Sequence, residues 1–130
     1  MANELTEYDK SLLSVVEQYE IVDLIKPLVR EIHLFDSYIA GTTHLEDESV
    51  LEKVKPGDAL ILQREVNKFD EKAILILNED KCKLGYIPEK DNTIFSHLMD
   101  AGKILKARVR SVEKQGSFHR IGIGIYLVDL

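Results

Sequence analysis

Cysteine is nearly absent from this 130-residue chain: Cys82 is the only one, so no internal disulfide can form. A lone thiol with no export signal points to a reducing compartment, the cytoplasm. The opening stretch MANELTEYDK is acidic and polar, which is not how a signal peptide reads. No apolar run approaches the roughly 20 residues that a membrane helix requires. Neither Gly-x-Gly-x-x-Gly nor Gly-x-x-x-x-Gly-Lys-Ser/Thr occurs, so no phosphate loop for a nucleotide cofactor is present. The four histidines, His33, His44, His97 and His119, lie far apart without metal-ligand spacing, so no zinc site is expected. Cys82 has no base positioned beside it in sequence and reads as a small core residue. No metal, cofactor or catalytic residue is therefore expected.

What is present suffices for one domain. The hydrophobic fraction is 45%, and a chain of this size buries roughly two thirds of its unfolded surface. The net charge of -6 is unevenly placed. Residues 1–50 hold 11 acidic and 3 basic side chains, whereas residues 51–130 hold 12 and 14. Lys103, Lys106, Arg108, Arg110, Lys114 and Arg120 stand against Glu113 alone between Lys103 and Arg120. Such a distribution matters more than the total in steering an anionic ligand.

Apolar residues recur every three or four positions from Leu12 to Leu28, predicting an N-terminal helical extension over residues 1–31, broken near Pro27. This segment either caps the main core or docks a partner. Strand patterns begin at Ile32–Ala40 and continue through Ala59–Arg64, Ala73–Leu77 and Cys82–Ile87. Asn78-Glu79-Asp80-Lys81 reads as a tight hairpin turn. Asp91 or Asn92 is placed to cap a helix running through Ile94, Leu98 and Met99, with Gly102 to stop it. In the last two strands, Lys106, Arg108 and Arg110 share one face, and Ile121, Ile123, Ile125 and Leu127 another. Gly122 and Gly124 mark strong curvature or a close backbone approach. The result is a mainly β fold with six short strands, one internal helix and a helical extension (α+β). A small closed or partly closed barrel fits this pattern better than a sandwich.

One stretch stands out: LQREVNKFDEKAILIL, Leu62 to Leu77, puts a polar loop with one aromatic between two buried strands. Asn67 and Asp70 can bond the loop's own backbone, and Phe69 can tuck into the core. The same residues also suit an exposed nucleotide end. Phe69 offers a stacking face, Asn67 and Asp70 offer polar atoms to a sugar hydroxyl or base edge, and Arg64 offers charge to phosphate. Glu65 reads as a local partner of Arg64 or Lys68. A looser pattern, Asp70 with Glu79-Asp80-Lys81, matches the carboxylates and lysine of metal-dependent nucleases, although three charges in a hairpin turn are ordinary.

The ordered runs IAGTTHL (39–45), GDALILQREVNKFDEKAI (57–74), KLGYIPEKDN (83–92) and LMDAGK (98–103) resemble the HIRAN domain. That module occurs in Swi2/Snf2-type DNA-repair helicases and as a standalone bacterial protein. The resemblance covers residues 32–128 and leaves the helical extension outside a domain of residues 32–130. It implies an OB-like barrel that binds single-stranded DNA by its 3′-hydroxyl end. Asp70 would receive the hydroxyl, Phe69 would stack, Asn67 would orient the end, Tyr86 would line the pocket and Phe118 would complete the stacking wall. Two departures accompany the resemblance. Thr43, His44 and Leu45 stand where helicase-type members carry a basic residue and two aromatics. Glu89 stands where a lysine would hold phosphate, with Lys90 adjacent. These changes weaken the expected DNA affinity and point toward a different ligand, such as RNA or a modified end, or toward a lost one. Lys106, Arg108 and Arg110 are candidate contacts to the strand's backbone. The expected partner is single-stranded DNA, with RNA left open because nothing clearly reads a 2′-hydroxyl. A helicase or nuclease partner docked by the acidic extension is the alternative, and a metal-dependent nuclease the third reading.

Overall fold

The computed structural model describes residues 30–129. The expected N-terminal helix and its docking role fall outside them, apart from the last two residues of that segment. Glu31–Val128 form one compact unit. Its strands are β1 (Arg30–Tyr38), β2 (Ala59–Arg64), β3 (Ile74–Leu77), β4 (Lys83–Tyr86), β5 (Leu105–Gln115) and β6 (Phe118–Asp129). A single 3₁₀ turn covers Thr42–His44, and two helices follow, α1 (Ser49–Glu52) and α2 (Glu89–Asp100). The six strands form one sheet in the order β1-β6-β5-β2-β3-β4.

Alternation sets the buried face. On β5, Leu105, Ala107 and Val109 point inward, and on β6 Ile121, Ile123 and Ile125 meet them. The paired register runs Ala107 against Ile125 and Val109 against Ile123, then slips at a bulge before Ser111 pairs with Gly122. In β3 the continuous run Ile74-Leu75-Ile76-Leu77 is mostly buried, as befits a strand between β2 and β4. Ile74, Ile76, Leu84, Ile87 and Leu51 join the β6 isoleucines in one core. Each such side chain stabilises the fold by roughly 1.5–3 kcal/mol.

The sheet does not close into a barrel. Its ends are joined only just beyond β1, where Ala40 bridges to Tyr86 of β4. Ala40 N–H donates to Tyr86 O at 2.8 Å, and Tyr86 N–H donates back to Ala40 O at 2.9 Å. Gly85 makes this approach possible. A Cβ there would lie 2.3 Å from Ala40 O and 2.5 Å from Ile39 Cγ2, and its φ of 156° disfavours a side chain.

Three local expectations need correction. Helix α2 starts at Glu89 behind Pro88, with no side-chain cap, rather than at Asp91 or Asn92. Its buried residues are Asn92, Phe95 and Ser96, while Ile94 faces solvent. Cys82 is exposed, not core, because the Asn78–Lys81 turn holds it outside the sheet. There Asn78 Oδ1 accepts from Cys82 N–H at 2.9 Å, and Lys81 takes a φ of 65°. Gly102 does terminate α2, with φ 90° and its N–H donating to Met99 O at 3.0 Å.

Candidate nucleic-acid interface

The loop between β2 and β3 is held at both ends and in the middle. At its root, Arg64 commits most of its guanidinium donors locally. Nε and Nη2 donate to the Asp100 carboxylate at 2.8 and 3.1 Å, Nη1 to Ala73 O at 2.7 Å, and Nη2 to Glu71 O at 2.9 Å. The fork thus straps the loop to the end of α2, and the guanidinium in turn lowers the pKa of Asp100. In the middle, Asn67 Oδ1 accepts from the backbone N–H groups of Phe69 (2.9 Å) and Asp70 (2.8 Å). Asp70 Oδ1 accepts from Lys72 N–H at 2.9 Å. These side-chain turns fold the loop on itself and leave Phe69 85% exposed rather than tucked into the core. Lys68 Nζ lies 5.2 Å from the Phe69 ring centroid.

Three further hydrogen bonds to carboxylates fix the polar groups. Asn92, only 2% exposed, donates from Nδ2 to Asp70 Oδ2 at 2.8 Å. Glu65 Oε2 accepts from Tyr86 Oη at 2.6 Å and from Asn67 Nδ2 at 2.9 Å. The Tyr86 hydrogen bond, followed by that of Asn67, holds the Glu65 carboxyl below its ordinary pKa. The same bond and burial push the Tyr86 phenol up, so it remains a donor. Lys83 Nζ sits 4.7 Å from the Tyr86 ring centroid.

Some of these residues line a cavity of about 300 Å³. Asn67, Phe69 and Asp70 come from the loop, and Tyr86 from β4. The buried Ala73 and Ile87, the Ala40–Gly41 backbone and the Glu89 side of α2 complete it. No lysine or arginine is among its lining residues. The site therefore combines an exposed ring, a tyrosine whose hydroxyl is engaged by Glu65, and one fixed carboxylate acceptor, Asp70, with cations only beside the two rings.

The structure brings four of the predicted residues together here: Asn67, Phe69, Asp70 and Tyr86. The others lie elsewhere. Gly41 lines the cavity, but His44 and Leu45 line a different one with Cys82 and Lys83, and Thr43 is exposed on the 3₁₀ turn. Lys90 turns toward β1, 5.5 Å from the Tyr38 ring and 3.6 Å from Asp91. Phe118 begins β6 opposite Gln115 at the far hairpin, and so is not part of this cavity's wall. On the basic strand, Lys106 and Arg108 both pair with Glu31 of β1, and Arg110 pairs with Asp36 at 3.3 Å. Asp70 and Glu79 line different cavities, and among the described residues no group of three His, Cys, Asp or Glu side chains could hold a metal ion. The nuclease pattern is thus taken apart by the fold.

Glu65, Asn92 and the Ala40–Gly41 backbone are the participants that sequence reading missed in this role. The sequence alone pairs Glu65 with Arg64 or Lys68, whereas it serves Tyr86, 21 positions on. Asn92 looked like a helix cap. A polar residue at a buried helical position, one turn before Phe95 and Ser96, was the signal available.

Comparison with known proteins agrees with this frame. The family model described as HIRAN domain matches residues 32–128. A crystal structure of a protein from Lactobacillus plantarum superposes with a TM-score of 0.72 at 26% identity, covering 78% of this chain and 99% of that one. The crystal structure of the HIRAN domain of human HLTF superposes with a TM-score of 0.61 at 14% identity, covering 76% and 79%. No curated protein matches the sequence.

Proposed function

The chain belongs to the HIRAN domain family, and from that premise we propose that it is a binding module, not an enzyme, for the 3′-hydroxyl end of a single nucleic-acid strand. The observation that carries this reading is the pairing of an exposed ring with a fixed acceptor. Phe69 stands 85% exposed immediately before Asp70, whose two oxygens are held by Lys72 N–H and Asn92. A terminal base stacks on Phe69, and its sugar hydroxyl donates to Asp70. Stacking of this kind contributes about 1–3 kcal/mol per base. Tyr86, kept protonated by Glu65, supports the opposite side of the cavity. Lys68 and Lys83, beside the two rings, supply charge to the first phosphates.

A terminal phosphate suits this cavity poorly, because its lining offers carboxylates and no cation. Fluorescence anisotropy with short labelled strands tests the reading. A free 3′-hydroxyl strand is expected to bind more tightly than the 3′-phosphate strand and the blunt duplex, with a shallow salt dependence reflecting few phosphate contacts. Equal affinity for all three, or none for any at low salt, overturns it.

A further inference from the structure

The Glu89 side chain is exposed at the first position of α2 and makes no hydrogen bond or ion pair among the described residues, yet it lines the same cavity as Asp70. The other carboxylate nearby is different: Glu65 does not line the cavity, and its Oε2 is engaged by Tyr86 and Asn67. We infer that Glu89 reads the 2′-hydroxyl of a terminal ribose, so that the cavity selects strands ending in a ribonucleotide. This rests on the end-binding reading above and adds the sugar to it.

The chemistry narrows the choice. A carboxylate only accepts hydrogen bonds. Phosphate oxygens carry no proton to give it and repel it. A deoxyribose terminus presents one hydroxyl, and Asp70 is already positioned for that one. A ribose terminus presents two, on adjacent carbons. Two acceptor groups lining one small cavity match two neighbouring donors, whereas a deoxy end leaves Glu89 without a partner. The 2′-hydroxyl is also the group by which a protein distinguishes RNA from DNA at a single site. The position of Glu89 follows from the fold. Pro88 ends β4's excursion and starts α2, and Ser37 of β1 anchors the first turn of that helix by donating to Asp91 Oδ2 at 2.8 Å.

The test uses the full chain and three labelled strands, identical except at the 3′ nucleotide: deoxyribose, ribose and 2′-O-methylribose. The ribose end is expected to bind about tenfold more tightly than the deoxy end, the size of one hydrogen bond to a charged acceptor. The 2′-O-methyl end, which has no proton to donate, should gain nothing. Glu89→Ala should remove the difference between the ribose and deoxy strands, so that the two bind with equal affinity. Equal binding of ribose and deoxy ends by the native chain, or a ribose preference that survives Glu89→Ala, overturns the inference while end binding stands. Failure to bind any of the three strands removes end binding itself, and the inference with it.

Discussion

Asn92 of α2 and Asp70 of the β2–β3 loop are joined at 2.8 Å, 22 positions apart in sequence. The amide is buried and the carboxylate is half-buried, so a helix residue fixes a loop acceptor from inside. Asn92→Ala removes that donor. The loss is expected to cost about 1–3 kcal/mol, a fall in Tm of roughly 4–8 °C per kcal/mol for a small domain. Thermal denaturation followed by circular dichroism checks this. Strand affinity should fall as well, because Asp70 Oδ2 is no longer held.

Phe69 offers a test that separates binding from folding. Its ring is 85% exposed and outside the core, so Phe69→Ala should change stability by no more than about 0.5 kcal/mol. Strand affinity should fall by about 1–3 kcal/mol. Parallel melting and anisotropy measurements decide the point. A large loss of stability would place the ring in the fold rather than in the interface.

Gly85 is where backbone meets backbone. An added Cβ would lie 2.3 Å from Ala40 O, which cannot move aside as a flexible side chain would. Gly85→Ala is expected to cost about 3 kcal/mol or more, at the severe end for single substitutions, and to open the Ala40–Tyr86 bridge. Denaturant unfolding measures the cost. Hydrogen exchange at the Ala40 and Tyr86 amides reports the bridge directly.

Glu65 gives a pH signature. Its folded pKa is lowered by Tyr86 and Asn67, below the ordinary 4.5. The folded state therefore holds the proton less tightly than the unfolded chain. The contribution is fully present above the unfolded pKa and is lost as pH falls through the lower folded value. The stability gap between the native chain and Glu65→Gln should be constant near neutrality and narrow below about pH 4.5. Urea unfolding at a series of pH values tests this, and a gap that widens in acid contradicts it.

The basic row on β5 should matter little to strand binding. Lys106 and Arg108 share Glu31 as a partner, and Arg110 has Asp36. Replacing Lys106 and Arg108 together by Ala is expected to change strand affinity less than twofold and to leave the salt dependence unaltered. A salt slope that falls by about one per residue would instead show that both reach phosphate. The same pairing holds the Glu31 carboxyl below its ordinary pKa, chiefly through Lys106.

Much of the fold could be read from the chain because period-2 alternation reports which face is buried. The inward rows of β5 and β6, the Asn78–Lys81 turn and the stop at Gly102 follow from local chemistry. Reading failed where a residue's partner lies in another element. Asn92 looks like a cap to any local rule, and Arg64 looks like a phosphate ligand. Only the packing of α2 against the loop turns the first into a holder of Asp70 and the second into a strap to Asp100. Phe118 illustrates the limit in reverse: it is an exposed aromatic at a turn, but the β5–β6 hairpin carries it away from the cavity.

By itself, then, the sequence determined the strands, the inward faces of β5 and β6, and the family, and it left open whether Phe69 turns into the core or out of it. These depend on periodicity and on contacts within a few residues. Tertiary structure decided that the six-stranded sheet stays open except at the Ala40–Tyr86 bridge, and that Glu65 serves Tyr86. It also decided that the basic row is paired with β1 acids, and that Glu89 lines the same cavity as Asp70. Those outcomes depend on which elements meet across dozens of residues, where no local pattern specifies the partner.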